Sequence, residues 1–320
     1  MALFKGRSCP PLGIDIGSAS VKLVALSWRG GRCRVDGFAI EPLPAATADR
    51  GNISDAAIVG EAVRRAWREA GAKAKTAVLA VADSAVVTRT LLLDATLTGD
   101  ELEAEVVLDA ERSIPYPIDR VALDFVSLGA CADDPALKRI LLAACPREQV
   151  LAREAAASHA GLTAAAVEIE SSAQHRAMQA AKGDETVVGM LTVGDDALRL
   201  AVWRRGESVF VKHEPMPMSL AHDDGPTPGA TLDAASRLLD AYAAAMPADG
   251  VGRLRLAGGG AARAVFAAMT NAHFGMSVEL ADPFAGMAAH ARVDKTALAE
   301  AAPALVTACG LGLWPGDDGP

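Results

Sequence analysis

The sequence predicts an α/β protein of two related lobes, with a small α+β module inserted into the first. Three observations predict it. A run of three strands and a helix opens the chain and recurs near residue 187. A block of shorter, mixed strands and helices separates the two runs. The chain has 320 residues, 51% of them hydrophobic, which suggests about two domains and enough apolar material for a core.

The first lobe begins with a strand at 12–16, a Gly17-Ser18-Ala19-Ser20 turn and a strand at 21–27. The turn at 29–32 leads into a strand at 33–42. Ser54 reads as the N-cap of a helix whose buried face carries Ile58, Ala62, Ala66 and Ala70, and Gly71 supplies its stop. The inserted module follows. Residues 76–81 and 85–93 read as strands, and Thr98 with Glu101 as a capping box ahead of Leu102, Val106 and Ala110 at helical spacing. Strands at 121–128 and 139–144 come next. Pro146 suits the first turn of a helix running to Gly161, before a strand at 163–169. The second lobe repeats the opening, with strands at 187–193, 197–203 and 208–213, a polar loop at 215–229 and a helix at 231–246. A strand at 253–257 enters Gly258-Gly259-Gly260 and a helix. A strand at 276–281 and a helix at 302–313 complete the reading.

Composition excludes several roles. The net charge of −9 and a pI near 5.2 argue against a nucleic-acid binder and against a polybasic lipid contact. The N-terminus lacks the apolar run of a signal peptide, and the longest apolar stretch, at 304–313, is too short to span a bilayer. Five cysteines, at 9, 33, 131, 145 and 309, form no CxxC, and they read as reduced thiols of a cytoplasmic protein. The six histidines form no dyad with Cys or Ser and read as solvated or hydrogen-bonded. Trp67 and Trp203 read as core residues.

Three turns are candidate parts of one nucleotide site. At the first, Gly17, Ser18 and Ser20 offer backbone N–H groups and hydroxyls to a phosphate. Asp15, at the strand end, can hold hydrated Mg²⁺. Lys22 adds a positive charge if its strand turns it inward. The second turn is Gly194-Asp195-Asp196, and the third is Gly258-Gly259-Gly260, where a ligand can approach the backbone closely. Each reads equally well as an ordinary turn.

The order of these turns resembles the actin-like superfamily, which shares a ribonuclease H-like fold with actin, Hsp70 and sugar kinases. Residues 12–24, LGIDIGSASVKLV, are similar to the opening of the PilM family of type IV pilus assembly proteins, relatives of FtsA. Residues 109–125, DAERSIPYPIDRVALDF, resemble that family's inserted subdomain. Asp282-Pro283-Phe284 and the ACGLGL run at 308–313 resemble its C-terminal stretch. The resemblance implies a first lobe over 1–73 and 166–185, an inserted subdomain over 74–165, and a second lobe over 186–320 with a reduced outer subdomain.

Departures accompany the resemblance. Thr192 stands where the superfamily places an Asp, Ala197 and Leu198 stand where it places Ser or Thr, and Asp195 and Asp196 repel phosphate. The helix at 231–246 carries only Asp233, Arg237 and Asp240 as charges, without the Glu and Lys that flank adenosine in relatives. ATP and Mg²⁺ are therefore doubtful ligands, and an inactive ATPase is the expectation. Glu170, at a strand-to-helix junction, reads either as a carboxylate near a metal or as a helix-end contact. The implied function is a cytoplasmic adaptor, peripheral at the inner membrane, that captures the short cytoplasmic tail of PilN in a groove between the first subdomain and the inserted one. Tyr116, between two prolines, is a candidate for that groove or a packing residue. Other pilus assembly proteins and a second copy of the chain are further partners this reading admits. The alternatives are an active ATPase or kinase, and an FtsA-like filament former. The filament former calls for a C-terminal amphipathic helix that residues 315–320 do not offer.

Overall fold

The computed structural model describes residues 10–45, 47–49, 51–181, 187–194, 197–216, 228–247, 250–272 and 276–316. The chain divides into two compact units: residues 1–80 with 153–320, and residues 81–152.

The larger unit opens with β1 (Leu12–Ile16), β2 (Ser20–Arg29) and β3 (Arg32–Pro42), then a small hairpin of β4 (Ala48–Asp49) and β5 (Asn52–Ile53), α1 (Ala56–Glu69) and β6 (Thr76–Val81). Strand alternation sorts the side chains. Leu12, Ile14 and Ile16 of β1, with Val21, Leu23 and Ala25 of β2, pack under α1. Val24 and Leu26, on the opposite face of β2, join a second cluster. The cap of α1 is Asp55 rather than Ser54, because its carboxylate accepts from the N–H groups of Ala57 and Ile58. The Ser54 hydroxyl instead donates to the Thr47 carbonyl. The buried face of α1 is Val59, Gly60, Ala62, Val63 and Ala66, so Ile58 falls outside it and is exposed.

The smaller unit contains β7 (Val87–Asp94), α2 (Gly99–Ser113), β8 (Val121–Ala130) and β9 (Leu137–Pro146), and α3 (Arg147–Ala160) begins in it. Its antiparallel sheet has the order β7-β9-β8. Leu91, Leu93, Ile140 and Leu142 pack with Val106 and Ala110 of α2. Thr98 has the extended backbone of an N-cap, but its side chain makes no capping bond, so the expected capping box does not close. Pro146 is the last residue of β9, paired with Val121, and α3 starts one residue later.

The larger unit resumes with β10 (Thr163–Ile169) and α4 (Glu170–Ala181). It continues with β11 (Val187–Val193), β12 (Ala197–Arg204), β13 (Glu207–Pro215), α5 (Pro228–Ala245), β14 (Arg253–Gly258), α6 (Gly260–Ala272), β15 (Ser277–Leu280), β16 (Ala288–Ala289), α7 (Lys295–Ala301) and α8 (Val306–Gly312). The helix expected over 302–313 is a 3₁₀ turn at Ala302–Leu305 followed by α8, with Pro303 in the turn, where its missing N–H costs no α-helical bond. Strands β6 and β10 belong to the first sheet, whereas the division read from the sequence places 76–81 and the first three residues of β10, 163–165, in the inserted subdomain.

The two sheets repeat one topology. The first runs β10-β6-β1-β2-β3-β16, and the second, read in the matching direction, runs β15-β14-β11-β12-β13. In each, the central strand pairs antiparallel with the next strand and parallel with the one beyond the helix. Among the described residues, only α6 lies between β14 and β15, the connection that carries the inserted unit in the first half.

Between the sheets lies a shared cluster. It draws Val24, Leu26 and Val35 from the first sheet, Met190, Ala201 and Trp203 from the second, Ala177 and Met178 from α4, and Ala308 and Cys309 from α8. The approach of α4 and α8 is close. A Cβ on Gly310 would stand 1.8 Å from the Ala173 carbonyl oxygen. A Cβ on Gly13 would stand 1.8 Å from that of Ala308. The small residues of the 308–313 run are therefore required by helix and strand backbones in contact.

Candidate functional site

The two central hairpins are closed by the same bond. Gly17 N–H donates to the Ser20 carbonyl at 3.0 Å, and Gly194 N–H donates to the Ala197 carbonyl at 3.0 Å. Asp15 stands opposite Lys22 in the first hairpin, and Thr192 stands opposite Arg199 in the second. Lys22 shares its face of β2 with Val24 and Leu26, and Arg199 shares its face of β12 with Ala201 and Trp203. All four polar residues therefore project from the sheet faces that line the shared cluster, and they form a polar tier at its end.

In the first hairpin, Lys22 Nζ lies 3.6 Å from Asp15 Oδ2. It also lies 3.1 Å from the place a Cβ on Gly17 would occupy, so the ammonium covers the turn glycine. Lys22 thus faces inward. Ser18 and Ser20 stand half-buried on the turn.

The second hairpin is tied to α4. Arg199 Nη1 donates to Glu170 Oε2 at 2.5 Å, and Arg199 Nη2 donates to Thr192 Oγ1 at 3.4 Å. The Thr192 hydroxyl donates to Gln174 Oε1 at 3.5 Å, and Gln174 Nε2 donates to the Thr307 hydroxyl at 3.0 Å. Glu170 is therefore the partner of a buried guanidinium. Beside this tier, Arg176 holds Glu168 through two bonds of 2.7 and 2.6 Å and donates to the Gly310 carbonyl at 2.8 Å. His175 stacks on Trp203 at 5.3 Å. Burial, with the Arg176 charge second, pushes its pKa below the usual imidazole value. Its environment is an aromatic face rather than the solvent or hydrogen bond expected for the histidines. Trp203 is core, as expected, and Trp67 is partly buried against α1's cluster.

The third turn divides into parts. Gly258 has φ of +125°, and a Cβ there would stand 2.2 Å from the Val193 carbonyl oxygen. Its glycine is required by the left-handed backbone and by the close parallel β11–β14 pairing, with no ligand needed to account for it. Gly259 has open space where a Cβ would stand, and Gly260 begins α6. Asp195 and Asp196 lie outside the described residues. Tyr116 belongs to the smaller unit and is 48% exposed.

A Mg²⁺–nucleotide can be tested against these donors. Among the described residues, no three His, Cys, Asp or Glu side chains converge as a metal cage. The carboxylates of the tier, Asp15 and Glu170, each face a cation of the chain itself. Within the described residues, the tier therefore offers a metal only carboxylates already paired with a cation of the chain. Arg199, Gln174 and Thr307 were missed by sequence reasoning. Arg199 had a signal, because it follows Gly194 at the same offset as Lys22 follows Gly17. Gln174 and Thr307 had none, since helix packing alone brings them in. The thiols play no part in the tier. The four described cysteines are thiols rather than disulfides, and burial raises the Cys309 pKa well above the usual thiol value.

Two sheets of one topology, a helix pair between them and matching hairpin turns define a protein of the two-lobed actin-like fold. The chain belongs to the family described as type IV pilus assembly protein PilM, which it matches over residues 13–216 and 226–314. It is similar to a chain of the PilM-PilN type IV pilus biogenesis complex, with 22% identity and a TM-score of 0.80, covering 96% of this chain and 98% of that one. It is also similar to the ethanolamine utilization protein EutJ from Carboxydothermus hydrogenoformans. There the identity is 15% and the TM-score 0.51, over 95% of this chain and 89% of that one.

Proposed function

We propose that the protein is an adaptor of the type IV pilus inner-membrane assembly complex, which captures the cytoplasmic tail of a PilN-type membrane protein and does not hydrolyse nucleotide. The observation that carries this reading is the family match, joined to a likeness over nearly the whole of both chains to a structure of a PilM-PilN complex. An extended tail binds by backbone hydrogen bonds and a few side-chain pockets, and half-exposed aromatic rings are suited to line them. Tyr116 is the candidate anchor. Among the described residues no helix is long and apolar enough to cross a membrane, so on this reading the adaptor is held at the inner membrane by its partner.

The tier supports the second half of the proposal. Thr192 offers no carboxylate, and the carboxylates present are matched by Lys22 and Arg199. Two titrations test the proposal. A PilN N-terminal peptide is expected to bind the full chain by calorimetry, and Tyr116→Ala is expected to weaken it about tenfold, as loss of an aromatic anchor does. No heat with the peptide at high micromolar concentration sinks the adaptor. Micromolar Mg-ATP binding that disappears in Asp15→Ala sinks the inactive site and revives the ATPase reading.

A further inference from the structure

One ion pair of the polar tier joins the two halves of the larger unit. Arg199 comes from β12 of the second sheet, and Glu170 opens α4 directly after β10 of the first. The Arg199 side chain is 5% exposed and that of Glu170 22%. From this pair the polar contacts continue through Thr192 and Gln174 to Thr307, so β11, β12, α4 and α8 are linked at one level. Just inward, Ala201 and Trp203 make the same face of β12 apolar. A guanidinium in such a place is planar and fixed in charge, and its bonds are directional. Water does not compete well for it, and a neighbouring sheet cannot slide without leaving a buried charge unmatched.

A cleft that closes around a metal and a polyanion leaves the carboxylates of its two sides to be neutralised by the ligand. Here Lys22 answers Asp15 within the first hairpin, and Arg199 answers Glu170 across the halves. We infer that Arg199 and Glu170 form an internal clasp, which fixes the two sheets relative to one another at this tier without any bound ligand. The chain's own charges then hold the tier in this arrangement, independently of nucleotide. The clasp goes beyond the adaptor reading and stands if that reading fails, since it involves neither the tail nor Tyr116.

Amide hydrogen exchange on the full chain tests it. Arg199→Met is expected to speed exchange at least tenfold in the β11–β12 hairpin and the first turn of α4, with the β7-β9-β8 sheet unchanged. Glu170→Gln keeps size and hydrogen-bonding capacity while removing the charge. It is expected to act at the same two places and carries the test if Arg199→Met does not fold. Exchange within twofold of the parent at both places in Glu170→Gln overturns the clasp. Millimolar Mg-ATP is expected to leave the parent's exchange at these places unchanged. A tenfold slowing there also overturns the clasp, because a tier already fixed has nothing left for a ligand to order.

Discussion

Gly310→Ala is expected to destabilise the protein, although helix propensity alone predicts the opposite. Gly310 lies within α8, where replacing glycine by alanine ordinarily stabilises by about 1 kcal/mol. The new Cβ would stand 1.8 Å from the Ala173 oxygen and 2.4 Å from the Ala173 carbonyl carbon. Both are backbone atoms of α4, so no side chain can rotate away. An ordinary contact requires the helices to part by roughly 1.5 Å, in a core that packs as densely as an organic crystal. Overpacking of this kind costs about 1–3 kcal/mol, and a clash of backbone with backbone belongs at the upper end. Net of propensity, a loss of about 2 kcal/mol is expected, or a fall in Tm of about 4 °C for a chain of this size. Urea denaturation followed by circular dichroism measures it. A variant as stable as the parent, or more stable, would show that α4 and α8 do not approach as described and would falsify the account given for the small residues of the C-terminal run.

Three further outcomes follow from particular side chains. Arg153 is 1% exposed, with its guanidinium held by the Gly51 carbonyl at 2.7 Å and by the Ala80 carbonyl. Arg153→Met leaves those carbonyls short of a donor and should cost about 3 kcal/mol in urea midpoint titrations, whereas a loss under 1 kcal/mol would contradict the burial. Gly258→Ala should be poorly soluble or unfolded, because a positive φ and the Val193 backbone both oppose it, while Gly259→Ala should melt within a degree or so of the parent. For His175 the folded pKa lies below the unfolded value of 6.5, so the unfolded state binds more protons as pH falls through that value. Stability should therefore be full above about pH 6.5 and decline below it, and His175→Phe should flatten the difference in urea midpoint between pH 7.5 and pH 5.5.

How far the chain could be read from its residues depended on the range of the forces involved. Strands and their order were legible because alternation and turn glycines are local signals, and the repeated meander survives as two sheets of one topology. Helix ends were less legible. Ser54 and Asp55 are both good capping residues, and only the path of the chain at Thr47, which draws the Ser54 hydroxyl away, decides between them. Thr98 had the pattern of a capping box without its bond. At the candidate site, Asp15 and Lys22 were legible as neighbours of the first turn, although strand periodicity left the face of Lys22 open until Asp15 was found opposite it. The Glu170–Arg199 pair was not legible, since it joins residues from different halves through tertiary packing alone.

The intimate contact of β1 with α8 also constrains how the molecule can be made. Gly13 and Ala308 touch through their backbones, and Leu305, Ala308, Cys309 and Leu311 are entirely enclosed. A nascent chain emerging from the ribosome therefore holds its opening hairpin without that hairpin's eventual neighbour until residue 312 has been synthesised. Contacts so distant in sequence form late and slowly. Until then the faces of β1 and α4 that α8 covers stay open, so truncation within 305–312 removes an enclosed part of the core and is expected to damage the fold far more than its few residues suggest.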